Sequence, residues 1–185
     1  MKATAPMFHA KMITRQSGEY LRRSTEEDMP KPIISEELIL IEPELDIPTP
    51  EAVIAVLCER LVEGGYVGPS YLQAALDRER QFPTGLPTLP YPTAIPHAEA
   101  AGTTNTGVAI AVLGHPVPFQ AMDSPKESLD VRIVLLLAVA DSANQISMLQ
   151  WVCTLVQDQS VVQALSSAKS SSEVMVILAP LVEHT

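Results

Sequence analysis

One histidine in a proline-rich stretch has both the type and the setting for chemistry. Phe82 to Ala100 reads FPTGLPTLPYPTAIPHAEA and places Pro83, Pro87, Pro90, Pro92 and Pro96 ahead of His97. Proline fixes φ and removes a backbone donor, so this stretch is neither helix nor central strand over most of its length. It reads as a stiff, extended connection whose last part, Thr93-Ala94-Ile95, could enter a sheet edge-first. Such a connection is either a structured surface loop or a rigid arm that holds His97 at the mouth of a cleft.

Three chemistries compete for that imidazole. A zinc deaminase needs H-x-E followed downstream by P-C-x-x-C. His97-Ala98-Glu99 supplies the first half and nothing supplies the second. A serine or cysteine hydrolase needs a nucleophile in an exposed elbow. There is no G-x-S-x-G, and Cys58 and Cys153 both lie in apolar helical patterns, where a thiol is usually a small core residue. Nucleophilic catalysis by the histidine itself remains, since imidazole can carry a covalent phosphoryl group. That requires a ring neutral near physiological pH, donors for the phosphoryl oxygens and a sheltered but reachable site. On the residues alone it is one reading among several. His115 is a weaker candidate in a connection between strands, and His9 reads as a solvated bystander.

The elements that must position His97 follow from spacing. Leu38 to Ile41 is a plausible first strand. Thr49-Pro50-Glu51 starts a helix, with Thr as N-cap, Pro at the first helical position and an acid in the first turn, and Gly64-Gly65 ends it. Gly68-Pro69-Ser70 opens a second helix that runs to about Phe82, where Pro83 stops it. Tyr71, Ala74, Ala75, Arg78 and Phe82 recur at spacings of three and four and so share a face. Arg78 therefore leans toward the domain, and a charge there needs a partner or a purpose. The partner could be Glu79 or another acid.

Beyond His97, Gly107 to Leu113 and Val131 to Ala140 are apolar runs without alternation, as in strands covered on both faces. Pro116 to Phe119 suggests a short edge strand between them. Ser142-Ala143-Asn144-Gln145 matches a capping box at the start of the next helix. Ser160 and Ser172-Glu173 start two more. Strands alternating with helices, then terminal helices, indicate an α/β or α+β sandwich with a partly parallel sheet.

Composition bounds the function. The chain has 185 residues, 46% of them hydrophobic, which fits one domain with a tail. Residues 1–35 are polar, carry a net charge of +2 and read as a largely disordered extension; residues 36–185 carry −12 and form the domain. An acidic body argues against nucleic-acid binding and leaves room for a basic protein partner, although solubility alone would also explain it. Two distant cysteines suit a reducing cytosol. No apolar run is long enough for a signal peptide or a membrane span.

Taken together, Arg78-Glu79, Pro83-Thr84-Gly85 and Thr93-Ala94-Ile95-Pro96-His97 resemble the signature of the fructose/mannitol-type IIA components of the bacterial phosphoenolpyruvate-dependent sugar phosphotransferase system. The resemblance covers about residues 36–182, and the F-P-T-G segment is most similar to the galactitol-specific branch. It implies a mixed five-stranded sheet flanked by helices. It also implies a cytoplasmic phosphotransferase: His97 accepts a phosphoryl group from the phosphocarrier HPr and passes it to a cysteine of a IIB component, itself associated with a membrane IIC. Arg78 would help to hold the phosphoryl group, as a guanidinium suits a dianion. No metal or cofactor is implied.

The sequence departs from the family where many members carry a second histidine in an H-L-x-x-L pattern. Here Gln145-Ile146-Ser147-Met148-Leu149 puts an amide at that place. Gln145 is either a hydrogen-bond donor to a phosphoryl oxygen or only a helix cap. Glu99 is expected to point outward, and the amides of Ala98 to Ala101 could add donors. A regulatory, nitrogen-type IIA domain of the same fold is the alternative function, and a plain interaction domain with an inert His97 is a more distant one.

Overall fold

The computed structural model describes residues 34–42, 48–98 and 102–183. The extension read at 1–35 therefore lies almost wholly outside the described residues, as do Glu99, Ala100 and His9.

Strand β1 (Ile39–Glu42) leads to helix α1 (Pro50–Glu63) and helix α2 (Tyr71–Gln81). The arm contributes β2 (Gly85–Leu86) and β3 (Thr93–Ala94), followed by the long strands β4 (Gly107–Gln120) and β5 (Ser128–Ala138). Helices α3 (Ser142–Gln157), α4 (Gln159–Ser167) and α5 (Ser171–Glu183) close the chain. The five strands form one mixed sheet in the order β1-β4-β5-β3-β2, with β1–β4 and β3–β5 parallel and the other pairs antiparallel. No helix among the described residues is long and apolar enough to cross a membrane.

The uninterrupted apolar runs of β4 and β5 are divided by the pleat. Ala109, Ala111, Leu113, Val134, Leu136 and Ala138 face one cluster with α1 and α2, whereas Val108, Ile110, Val112, Ile133, Leu135 and Leu137 face a second with α3, α4 and α5. The sheet is thus covered on both faces, as runs without alternation require.

Pro116 to Phe119 is not a separate edge strand. It continues β4 past an irregularity, where Leu113 to Pro116 stand opposite Arg132 alone. The Arg132 guanidinium donates to the carbonyls of Leu113 and Gly114, so groups released from the ladder find a partner.

The proline arm enters the sheet more deeply than its composition suggests. β3 lies inside, between β5 and β2, and β2 takes the edge. The prolines flanking β3 cannot donate, but their carbonyls can accept. Arg132 N donates to Pro92 O at 3.1 Å and Leu137 N to Pro96 O at 3.0 Å. Gly85 is required where β2 begins, because a Cβ there would stand 2.5 Å from the backbone oxygen of Gln120.

Candidate functional site

The site forms where β3 runs out beside the C-terminal end of β5. His97 makes a single parallel bridge to Leu137, so the histidine is placed by strand pairing and not by a free loop. Ile95 packs on the face of the sheet that carries α3 to α5, and Ala94 and Ala98 on the face that carries α1 and α2. The chain around His97 is gripped from both sides.

His97 is 7% exposed. Its Nδ1 lies 3.0 Å from the carbonyl oxygen of Ile95. A carbonyl only accepts, so Nδ1 carries the proton of the neutral ring and Nε2 keeps the lone pair. Burial of the ring lowers its pKa from the ordinary 6.5; the Ile95 hydrogen bond opposes this, and the positive charge of Arg78 adds to it. The geometry gives a neutral imidazole with one fixed tautomer and a nucleophilic nitrogen set away from the backbone.

Arg78 comes from the last turn of α2. It forms no ion pair among the described residues; the exposed pair on this helix is Arg80 with Asp77 at 3.0 Å. Its guanidinium stacks on the Phe82 ring, 4.4 Å from the centroid, and donates to the Phe82 carbonyl at 3.3 Å. Among the described residues no acid lies within ion-pair distance of Arg78; Glu79 feels its charge but spends its hydrogen bonds elsewhere. Its two carboxylate oxygens accept from the Thr84 amide at 3.0 Å and the Thr84 hydroxyl at 2.7 Å. This clamp ties the end of α2 to the start of the arm. The shared face expected for α2 also needs correction: Tyr71 and Ala75 are buried, but Ala74 is exposed and Phe82 is 57% exposed. Phe82 sits outside as a plate for Arg78, not inside as core.

Neither of two concavities among the described residues is lined by His97. One of about 250 Å³ lies between Glu51, Glu79 and Gln120, and one of about 420 Å³ between α4 and α5. A small-molecule site would sit in such a hollow. His97 is instead buried at the end of a strand and lines neither of them.

Residues 32–180 match the family described as phosphoenolpyruvate-dependent sugar phosphotransferase system, EIIA 2. The chain belongs to this family. Among curated proteins, it is 31% identical over 134 residues to the mannitol-specific EIICBA component of Escherichia coli K12; the match covers 71% of this chain but 20% of that protein. It is 26% identical over 113 residues to the galactitol-specific EIIA component of the same strain, covering 61% of this chain and 75% of that one. The crystal structure of the mannitol IIA of Escherichia coli superposes with a TM-score of 0.64 at 29% identity, over 79% of this chain and 99% of that one. The same IIA in complex with phosphorylated enzyme IIB superposes with a TM-score of 0.65 at 28% identity, over 80% of this chain and 98% of that one. The mixed five-stranded sheet expected from the resemblance is the one observed.

In this EIIA chain the capping explanation of Gln145 does not hold. The N-cap of α3 is Asp141, whose carboxylate accepts from Ala143 N at 2.9 Å. Gln145 falls one position beyond the place from which a capping-box glutamine reaches back. Its half-buried side chain makes no hydrogen bond among the described residues. The expectations for Glu99 and for the amides of Ala100 and Ala101 lie outside the described residues. The Ala98 amide is already engaged, donating to the Tyr71 hydroxyl at 3.2 Å.

Other candidates recede. His115 is exposed beside the β4 irregularity. Burial pushes the Cys58 thiol up to about 12 and raises Cys153 also, so neither is a thiolate at neutral pH. Sequence reasoning offered Glu79 only as a partner for Arg78 and Thr84 only as part of a resembling signature; it foresaw neither the clamp between them nor a role for the Tyr71 hydroxyl. Glu79 and Thr84 carried a signal in hindsight, an acid at a helix end five residues before a threonine. Tyr71 carried none, since its partners are distant in sequence.

The pH dependence of the ring has a definite sign. A histidine whose folded pKa is lowered binds its proton later than the unfolded chain does, so folding stability falls as pH drops from 6.5 through the folded value. An NMR titration of His97 is expected to show a midpoint below 6.5 and a neutral ring, protonated on Nδ1, at pH 7. A midpoint above 6.5 would contradict the tautomer and burial described here.

Proposed function

We propose that this chain is a cytoplasmic IIA component that takes a phosphoryl group from phospho-HPr on His97 Nε2 and passes it to a cysteine of a IIB component. The IIB would work with a membrane IIC in the uptake of galactitol or a related polyol or sugar. The observation that carries the reading is the fixed tautomer: the Nδ1 bond to Ile95 O leaves Nε2 as the nitrogen able to attack.

In the first transfer the Nε2 lone pair forms the new N–P bond as the bond to the donor breaks, and the donor keeps that electron pair. Phosphorylated imidazole carries more positive charge on the ring, and the Nδ1–H to Ile95 O bond stabilises it. In the second transfer a IIB thiolate attacks phosphorus and the ring regains its lone pair. Arg78, free of any ion pair among the described residues, balances the charge of the phosphoryl oxygens. Phe82 holds its guanidinium by a stack that a passing dianion does not have to break.

The polyol reading is supported by the similarity to galactitol- and mannitol-specific components. The test is incubation with labelled phosphoenolpyruvate, enzyme I and HPr, followed by addition of candidate IIB proteins. Label that reaches the protein and then moves to a galactitol-type IIB supports the full reading. Label that arrives but leaves for no IIB indicates a regulatory domain, and no label at all indicates an interaction domain.

Gln145 is assigned as a donor to a phosphoryl oxygen. Gln145→Ala is expected to slow transfer several-fold. Gln145→His is expected to keep transfer and to make its rate fall or rise across pH 5.5–7.5 in a way the parent does not. Unchanged kinetics in Gln145→Ala would remove the role.

A further inference from the structure

The rungs on either side of His97 differ. In a regular parallel ladder, the residue whose amide binds the carbonyl before its partner gives its own carbonyl to the amide after that partner. Leu137 obeys the first half, with its N donating to Pro96 O at 3.0 Å. In the second half a side chain intervenes. The Ala98 amide donates to the Tyr71 hydroxyl at 3.2 Å, and that hydroxyl donates to the Leu137 carbonyl. A phenol from the first turn of α2, 66 residues away in sequence from Leu137, stands where a direct backbone bond would be.

We propose that Tyr71 is a positioning residue for phosphoryl transfer, its hydroxyl completing the β3–β5 ladder on the C-terminal side of His97 and so fixing the backbone that aims Nε2. This rests on the relay reading of His97. Three holds then define the ring. Ile95 O fixes its rotation through Nδ1, Pro96 O anchors the chain before it, and the phenol anchors the chain after it.

The relay leaves neither the Ala98 amide nor the Leu137 carbonyl unpaired beside the bridge that holds His97. The ring of Tyr71 is fully buried, and burial raises its pKa, so the hydroxyl keeps its proton and the relay does not switch with pH. Tyr71 and Arg78 stand on the same helix seven positions apart, so α2 carries both the residue that aims the nucleophile and the one that balances the incoming charge.

Tyr71→Phe removes the hydroxyl and keeps the ring. In single-turnover transfer from phospho-HPr, the variant is expected to lose about tenfold in the maximal rate, with the half-saturating HPr concentration unchanged, because aim is lost and the docking surface is not. The Ala98 amide is expected to exchange with solvent faster, while amides at the centre of β4 and β5 keep their protection. Should the variant not fold, 3-fluorotyrosine at 71 retains the packing and alters only the phenol's hydrogen bonding; the inference then requires a changed maximal rate at unchanged stability. A maximal rate within twofold of the parent, in whichever of the two folds, overturns the inference. So does a loss found wholly in the half-saturating concentration. Wild type that takes no label in the same assay would overturn the relay reading instead, which keeps the two failures apart.

Discussion

His97→Ala is expected to take no label from phosphoenolpyruvate through enzyme I and HPr, a loss of more than about 10⁴-fold, as for removal of a nucleophile. The reason is local. No other described side chain offers a lone pair in the same setting: His115 is exposed within the β4 irregularity, and both thiols are held protonated by burial. The substitution removes one hydrogen bond to a backbone carbonyl, worth about 1 kcal/mol. The backbone rungs at Pro96 and Ala98 do not need the imidazole, so the fold survives and the loss is chemical. Circular dichroism and a thermal melt beside the labelling assay check both halves of this statement. Residual labelling of the variant above about a tenth of wild type would mean that phosphorus is carried elsewhere.

Arg78→Ala is expected to slow transfer by about 10²-fold, the usual cost of removing one preorganised charge-stabilising donor. Arg78→Lys keeps the charge but loses the fork and the flat stack on Phe82, and is expected to recover only part of that rate. A second readout separates this role from a structural one. The Arg78 charge helps to depress the His97 pKa, so the alanine variant is expected to raise the midpoint of the His97 titration toward 6.5, while lysine leaves it closer to the parent's. A rate loss with an unmoved midpoint would place Arg78 away from the ring and sever the link between them.

Much of the architecture was legible because it rests on local physics. The Thr49-Pro50-Glu51 helix start is formed as read, with the Thr49 hydroxyl accepting from Ala52 N. The two apolar runs became the doubly covered central strands because alternation is lost only when both faces are buried. The proline arm announced His97. What escaped was set by contacts across the chain. β2 is two residues long, too short for any period to show. Phe82 fits an inward spacing, yet it ends the helix at a cap and turns out to carry Arg78. Gln145 matched a capping box from Ser142, but Asp141 has the stronger acceptor one residue earlier and starts the helix there. The Tyr71 hydroxyl finds both of its partners only after the sheet has assembled.

The central claim is that one nitrogen of one ring carries the phosphoryl group between two proteins. Two-dimensional phosphorus–proton NMR on protein phosphorylated by enzyme I and HPr tests it most directly. The account predicts a single phosphorus signal coupled to the ring protons of His97 in the pattern of an Nε2 adduct. A signal on Nδ1, or on any side chain other than His97, would contradict it.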